Sequence, residues 1–398
     1  MRIPDFSFNE AKSQCCACEA CVQACGASAL KMIVDDEGFY YPKLDATACV
    51  DCGLCSNICQ YINKVEKSKE KQRAFGGHID DPKVLNESTS GGAFTAIVNE
   101  WCDENYVIFG ATANGLDVCH KYITDKTELY KFRRSKYSQS KIGNSYIEAR
   151  SFLKQGKKVL FSGTPCQIAG LKSLLKGVIY DNLLTIEVVC EGLPSPLYIK
   201  KLEQKIGNPI SVLDYRYKDH DRWDFEVMYI KSSEGKIFKR DRWFNPFWSI
   251  WLSHLMSRPS CYNCLYTTKN RVADITLGDL WGVHIYCPDL YNNNRGASLI
   301  VTNTHKAECV VDAIMGKSFI GRELDFETAL CYQGPMRKSI SLNHNRAKFM
   351  NDLRTLDYKS LIKKWAPKPR VKLLISKYIY GTNRQKVKLW KLKELFKQ

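Results

Sequence analysis

The chain has 398 residues, 18 cysteines and a formal net charge of +17, with 44% hydrophobic and 25% charged residues. That composition supports two or three domains with buried cores and argues against wholesale disorder. No stretch reaches the roughly 18 uncharged apolar residues of a bilayer-spanning helix, and the opening MRIPDFSFNEAK has no apolar signal region. The expected compartment is therefore the cytosol, where cysteine abundance points to metal rather than disulfides.

Nine cysteines fall at positions 15, 16, 18, 21, 25, 49, 52, 55 and 59. Cys15, Cys18, Cys21 and Cys25 follow C-x2-C-x2-C-x3-C, and Cys49, Cys52, Cys55 and Cys59 repeat it. This is the ligand pattern of a bacterial two-cluster ferredoxin. Three thiolates two residues apart wrap one iron–sulfide cube, and the fourth, on the next helical turn, reaches the other cube. One 4Fe-4S cluster is expected on Cys15, Cys18, Cys21 and Cys59, and a second on Cys49, Cys52, Cys55 and Cys25. Gly26 and Gln60 stand where the proline after each run is usual, and Cys16 fits neither set. Two zinc knuckles are the rival reading, disfavoured by two complete copies at one spacing. Residues 29–41 (ALKMIVDDEGFYY) read as a hairpin turning at Asp36-Glu37-Gly38.

Residues 1–62 hold four basic and eight acidic side chains, so the module is acidic and the rest strongly basic. Residues 63–73 (NKVEKSKEKQR) read as a solvated linker or an exposed helix. Strands are then expected at 106–112, 158–162 and 184–190, with helices at 93–102, 140–153, 167–175 and 196–206. The fold class is an α+β ferredoxin-like N-terminal module followed by an α/β domain with a partly parallel sheet. The divisions are 1–62, the linker 63–73, the body 74–345 and a basic C-terminal tail 346–398.

Within the body, STSGGAF (88–94) places small hydroxyl and glycine residues before a helix, which suits a phosphate or a plain N-cap. FSGTPCQ (161–167) opens a helix at Pro165 and sets Cys166 at its positive end. CEGLPSP (190–196) follows a strand, and Cys261-x2-Cys264 precedes DITLGDLWG (274–282). Cys166 and Cys190 thus sit at C-terminal strand ends, where open α/β sheets hold ligands. With Cys261 and Cys264 they make four thiolates, enough for a third cluster. The aromatic run WFNPFWSIW (243–251) reads as core before lid. Cys102, Cys119, Cys287, Cys309 and Cys331 read as buried inert thiols. Asp274 and Asp279 read as strand-end acceptors as readily as catalytic groups. No Rossmann glycine motif, Walker loop or HExxH is present.

The tail carries sixteen Lys/Arg against three acids. Lys363-Lys364-Trp365 and residues 386–397 (KVKLWKLKELFK) would suit the anionic surface of a membrane as cationic amphipathic helices, with a solvated terminal helix packed on the body as the equal alternative. Nucleic acid is the weaker reading, because no recognition fold accompanies the charge.

Taken together, STSGGAF, RRSKYSQS (133–140), SGTPCQIAGL (162–171), CEGLPSP, Cys261-x2-Cys264, ADITLGDLWG (273–282) and RGASLIVTNT (295–304) resemble the beta subunit of coenzyme F420 hydrogenases and dehydrogenases. The resemblance implies FAD and a 4Fe-4S cluster in the body, and some members carry a fused ferredoxin module. Relatives include ferredoxin-dependent reductases. Carried over, the cluster would be held by Cys166, Cys190, Cys261 and Cys264. FAD phosphates would meet Thr89, Ser90, Gly91 and Gly92, with Ser135, Lys136, Tyr137 and Ser140 around the flavin and Thr164 and Gln167 nearby. Lys136 would stabilise the anionic reduced flavin. Glu191 stands where the family usually has His.

The expected function is an iron–sulfur flavoprotein oxidoreductase taking electrons from a ferredoxin-type donor to FAD and on to a small-molecule substrate. The alternatives are an electron-transfer subunit for a separate catalytic partner, a deazaflavin-coenzyme oxidoreductase, and a nucleic-acid-binding regulator.

Overall fold

The computed structural model describes residues 9–218, 223, 226–366, 371–375, 377, 388–389, 392 and 395. The front module contains the antiparallel hairpin β1 (Leu30–Val34) and β2 (Tyr40–Leu44). Its turn is closed by the Asp35 carboxylate, which accepts from the backbone N–H of Glu37 at 3.0 Å and of Phe39 at 2.8 Å. Gly38 there has φ 86° and lies against Leu197 of the body, so the turn also sets the docking distance. Short helices Ala20–Ala24 and Leu54–Asn57 lie within the two cysteine runs, and the residue before each, Glu19 or Gly53, is left-handed.

Eleven further strands follow among the described residues. They are β3 (Arg73–Ile79), β4 (Tyr106–Asn114), β5 (Asp117–Ile123), β6 (Lys158–Gly163), β7 (Leu183–Val188), β8 (Ile210–Tyr217), β9 (Val227–Ser232), β10 (Ile237–Arg240), β11 (Ile275–Asp279), β12 (Ser298–Thr302) and β13 (Phe319–Leu324). The main sheet runs β13-β3-β12-β11-β7-β6-β4-β5, with β4, β6, β7 and β11 parallel and the flanking pairs antiparallel. The expected strands at 106–112, 158–162 and 184–190 are β4, β6 and β7, and all three lie in the parallel part. Both faces of these strands are covered, which is why they read as continuous apolar runs. Ile108, Leu160, Leu184 and Ile275 pack on one side against Ile97 and Val311, while Val107, Phe109, Val159 and Phe161 pack on the other against Ile168 and Leu171. Helices Ala93–Trp101, Ser145–Lys154, Pro165–Leu174 and Pro196–Ile206 occupy the expected stretches, although the second begins only at Ser145, because residues 140–144 make the approach to it.

A second sheet, β10-β9-β8, was not expected. It packs with helices Pro196–Ile206 and Pro246–Leu252 around Phe247, Trp248, Ile250 and Trp251, all buried, so the aromatic run is core.

Residues 63–72 are neither helical nor free of the body. The Lys67 ammonium donates to the Leu265 carbonyl at 2.7 Å, the Ser68 N–H to that of Arg271 at 2.9 Å, and the Gln72 amide to Asn303 Oδ1 at 2.7 Å. The stretch is a strap laid over the surface, and Arg73 already belongs to β3. Residues 346–365 likewise differ from a tail: helices Arg346–Thr355 and Tyr358–Trp365 bury Phe349, Met350, Leu353 and Leu361 against the aromatic core. The amphipathic helix expected at 386–397 lies outside the described residues apart from 388–389, 392 and 395. Among the described residues no helix is long and apolar enough to cross a membrane. Cys102 and Cys287 are buried, but Cys309 and Cys331 are exposed, because they fall on the outer faces of their helices.

Candidate redox sites

The paired cysteine runs and the four body cysteines sort into three groups, each around its own cavity. Cys15, Cys18, Cys21 and Cys59 line the first, of about 30 Å³. Cys25, Cys49, Cys52 and Cys55 line the second, of about 20 Å³. Cys166, Cys190, Cys261 and Cys264 line the third, of about 270 Å³, with Glu191, His254 and Arg271 in its wall. The last cysteine of each run therefore faces the cavity of the other run, because the short helix that holds each third cysteine carries the chain across the module.

All these thiols are free of disulfides. Burial pushes the Cys15 and Cys264 thiols up to about 11 and Cys261 to about 12, and raises Cys21, Cys59 and Cys190 as well. A buried thiolate of this kind is stable only beside positive charge, which a metal supplies. Cys18 and Cys166 are the exceptions: hydrogen bonding from Cys16 lowers both, and Cys166, helped by Thr164, whose hydroxyl lies 3.2 Å from its sulfur, is pulled down to about 7. Among the described residues no three His, Cys, Asp or Glu side chains converge on one point as a single metal ion would require. A zinc ion gathers its sulfurs at ~2.3 Å, whereas each set here frames a hollow, and donor type and geometry fit an iron–sulfur cube.

The first and third cavities adjoin. Cys16 and Tyr61 line both. The Gln60 amide donates to the Cys166 carbonyl at 2.9 Å, and its oxygen accepts from the Tyr266 hydroxyl. Gly170 on helix Pro165–Leu174 lets Cys18 approach so closely that a Cβ there would stand 2.9 Å from the Cys18 Cβ. Glu19 accepts from the N–H groups of Ile142 and Gly143 at 2.8 and 3.0 Å, and Gln23 from those of Tyr146 and Ile147 at 3.1 and 3.2 Å, so the module caps helix Ser145–Lys154. The second cavity lies at the outer rim, where Cys52 is exposed and Val50 is 72% exposed.

The flavin candidates form two groups at the C-terminal edge of the parallel strands, and none lines these three cavities. In one, Thr89 accepts from the Ser135 N–H at 2.8 Å, the Ser90 hydroxyl donates to the Ala297 carbonyl at 2.6 Å, and the Gly91 N–H donates to Ser298. Gly92, φ 79°, begins helix Ala93–Trp101 with no side-chain cap. The Lys136 ammonium donates to the carbonyls of Phe132, Arg133 and Arg134, and desolvation lowers its pKa to about 8. Tyr137 packs edge-on to Tyr215 and Trp248. In the other group, Gln167 accepts from the Thr164 N–H at 2.9 Å and donates to the Ser140 carbonyl at 3.3 Å. Asp274 accepts from Thr185 and Asp279 from Arg216 and Trp223, so both act as structural acceptors.

Ser140 leads to a residue that sequence reasoning missed. His120 is buried between it and Ser162. The Ser162 carbonyl can only accept, so Nε2 carries the proton and Nδ1 accepts from the Ser140 hydroxyl. Burial depresses the imidazole pKa to about 4 from its usual 6.5. The unfolded chain then binds more protons between those values, so stability should fall as pH drops from 6.5 towards 4. A shift of this size corresponds to about 3 kcal/mol. His120→Gln should flatten that slope in urea midpoints taken at pH 4.5 and 7, and an unchanged slope would exclude His120 as its source.

Arg258, Arg271 and Glu187 were also missed, because none stands in a motif, and Gln60 was noted only as the residue in the usual proline position; their burial and partners expose their roles.

Residues 156–323 match the family model for the C terminus of the coenzyme F420 hydrogenase/dehydrogenase beta subunit. Over that segment the chain is similar to this family. The F420 hydrogenase/dehydrogenase segment includes Cys166, Cys190, Cys261 and Cys264, hence the whole third cysteine group, and assigns the body to oxidation–reduction proteins. The front module and residues 88–140 lie outside the match. Among solved structures, the F420-reducing NiFe hydrogenase complex from Methanosarcina barkeri, in a xenon derivative, is similar at 12% identity, over 75% of this chain and 91% of that one, with a TM-score of 0.44. No curated protein matches the chain.

Proposed function

We propose that the chain is an iron–sulfur flavoprotein oxidoreductase in which the front module delivers electrons to the F420 hydrogenase/dehydrogenase segment. The observation that carries this reading is the shared wall of the first and third cysteine cavities, formed by Cys16 and Tyr61. When bound, iron–sulfur clusters supply one-electron steps and FAD the conversion to two-electron chemistry. Cys15, Cys18, Cys21 and Cys59, then Cys25, Cys49, Cys52 and Cys55, then Cys166, Cys190, Cys261 and Cys264 would each hold one 4Fe-4S group. The exposed rim at Cys52 and Val50 admits a ferredoxin-type donor, and Gln60 holds the two inner sites in register. FAD is assigned to the C-terminal edge of the sheet, at Thr89, Ser90, Gly91, Gly92, Ser135, Lys136, Tyr137, Ser140, Thr164 and Gln167. Glu191, whose pKa burial raises, stands beside Cys190 in the third cavity wall.

Protein purified without oxygen should be brown, with about twelve iron atoms and one extractable flavin per chain. Colourless protein containing zinc would end the reading. A second reading, an electron-transfer subunit serving a catalytic partner, is favoured by the position of the flavin candidates outside the three cavities. It predicts the same iron without flavin, and stable isolation with a partner.

A further inference from the structure

Arg258 is 1% exposed, and its guanidinium reaches only neutral acceptors. Nε donates to the Cys15 carbonyl at 2.8 Å, Nη2 to that of Tyr40 at 2.9 Å and Nη1 to Gln139 Oε1 at 3.2 Å. The plane lies 4.2 Å from the Tyr41 ring centroid and 5.5 Å from that of Phe39. Other buried or half-buried arginines are paired with carboxylates: Arg271 with Glu187, Arg216 with Asp279, and the half-buried Arg346 with Glu37. A buried ion without counter-charge is strongly disfavoured, and Arg258 has no acidic partner among the described residues. The groups that act on it most strongly are Tyr41, Cys15, Cys16 and Cys261, and its charge also acts on Cys166. Cys15 lines the first cavity and Cys166 and Cys261 the third, and among the described residues none of the Arg258 hydrogen bonds goes to a cysteine of the second. Arg258 also opens the turn that carries Cys261, donating its N–H to the Leu193 carbonyl at 2.9 Å and accepting from the Cys261 N–H at 3.0 Å.

We infer that Arg258 is the counter-cation shared by the first and third cysteine sites and that it holds their reduction potentials above that of the second. The inference rests on the cluster reading above. Each one-electron reduction adds a negative charge to its site, and a fixed buried cation stabilises that charge more strongly than solvent-screened groups do. The outer site, without those hydrogen bonds and nearer water, lacks this help. Electrons arriving at the rim therefore run downhill into the body, and Arg258 acts as a positioning residue for charge without ligating or reacting.

The test is a redox titration of the full chain followed by paramagnetic spectra, assigned site by site against cysteine-to-serine chains. Gln139→Glu places a carboxylate on the guanidinium without removing it, Arg258→Met removes the charge, and Arg258→Lys keeps the charge and loses the fork. Gln139→Glu and Arg258→Met should lower the midpoints of the first and third sites and leave the second in place, while Arg258→Lys should restore most of the shift. Unchanged midpoints at full iron content, or an equal shift of all three, would overturn the inference and leave the cluster reading intact. If Arg258→Met loses iron, Gln139→Glu decides alone. Iron-free wild-type protein would overturn the cluster reading, and with it this one.

Discussion

A Cys166→Ser chain purified without oxygen is expected to retain about eight of about twelve iron atoms and to lose passage of electrons from the front module to the flavin. Cys166 is the one body thiol drawn down, to about 7, by Cys16 and Thr164, so of the four it most readily supplies a thiolate. Serine offers neither a thiolate nor a comparable soft ligand, and the remaining Cys190, Cys261 and Cys264 leave the third site a ligand short. Altering groups that merely orient a metal site costs roughly 10–100-fold, and loss of a ligand should exceed the top of that range. Stopped-flow reduction of the flavin by the prereduced module reads the rate, and an iron assay reads the occupancy. Cys309→Ser, on the exposed face of helix His305–Ile314, is the control that should change neither. An iron count unaffected by Cys166→Ser would remove that residue from the third site.

Glu187→Ala should be the most destabilising single substitution away from the cysteines. Glu187 lies on β7, fully buried, and pairs with the Arg271 Nε; it also accepts from the Thr276 hydroxyl at 2.9 Å. Arg271, equally buried, spends Nη1 on the carbonyls of Tyr266 and Thr268 at 2.6 and 3.0 Å. Removing the carboxylate leaves a guanidinium only 2% exposed without its counter-charge, at a cost of about 3–5 kcal/mol. For a body of this size that lowers Tm by roughly 10 °C. The double substitution Glu187→Leu with Arg271→Met should recover most of the loss, because an apolar pair of similar volume removes the unpaired charge. Since Arg271 braces the loop after Cys264, Glu187→Ala should also reduce iron at the third site. A loss below about 1 kcal/mol would mean that the pair is solvated.

The parts of the fold legible in the sequence are those with a strong local signal. β4, β6 and β7 are buried on both faces and read as unbroken apolar runs, and the doubled cysteine spacing announces its module. β8, β9 and β10 were invisible because polar and charged residues interrupt them: β10 is IFKR, exposed throughout. The strap at 63–72 looked solvated because its binding uses Lys67, Ser68 and Gln72 on carbonyls and an amide, partners that no hydropathy pattern records. Residues 346–365 looked like a tail because sixteen cations in the last 53 residues masked the apolar positions Phe349, Met350, Leu353 and Leu361. The crossed grouping of the cysteines could be anticipated from spacing alone. Arg258 could not, since a single arginine gains meaning only from what is missing around it.

Glu19, Gln23, Gln60 and Arg258 fasten the front module to the body at four separate points. Such a clasp rules out the swinging-arm strategy, in which a tethered carrier collects charge at one station and unloads it at another. On the proposed reading, throughput across this junction should therefore be indifferent to added glycerol, and any drag from a thicker medium would enter where the proposed donor meets the rim.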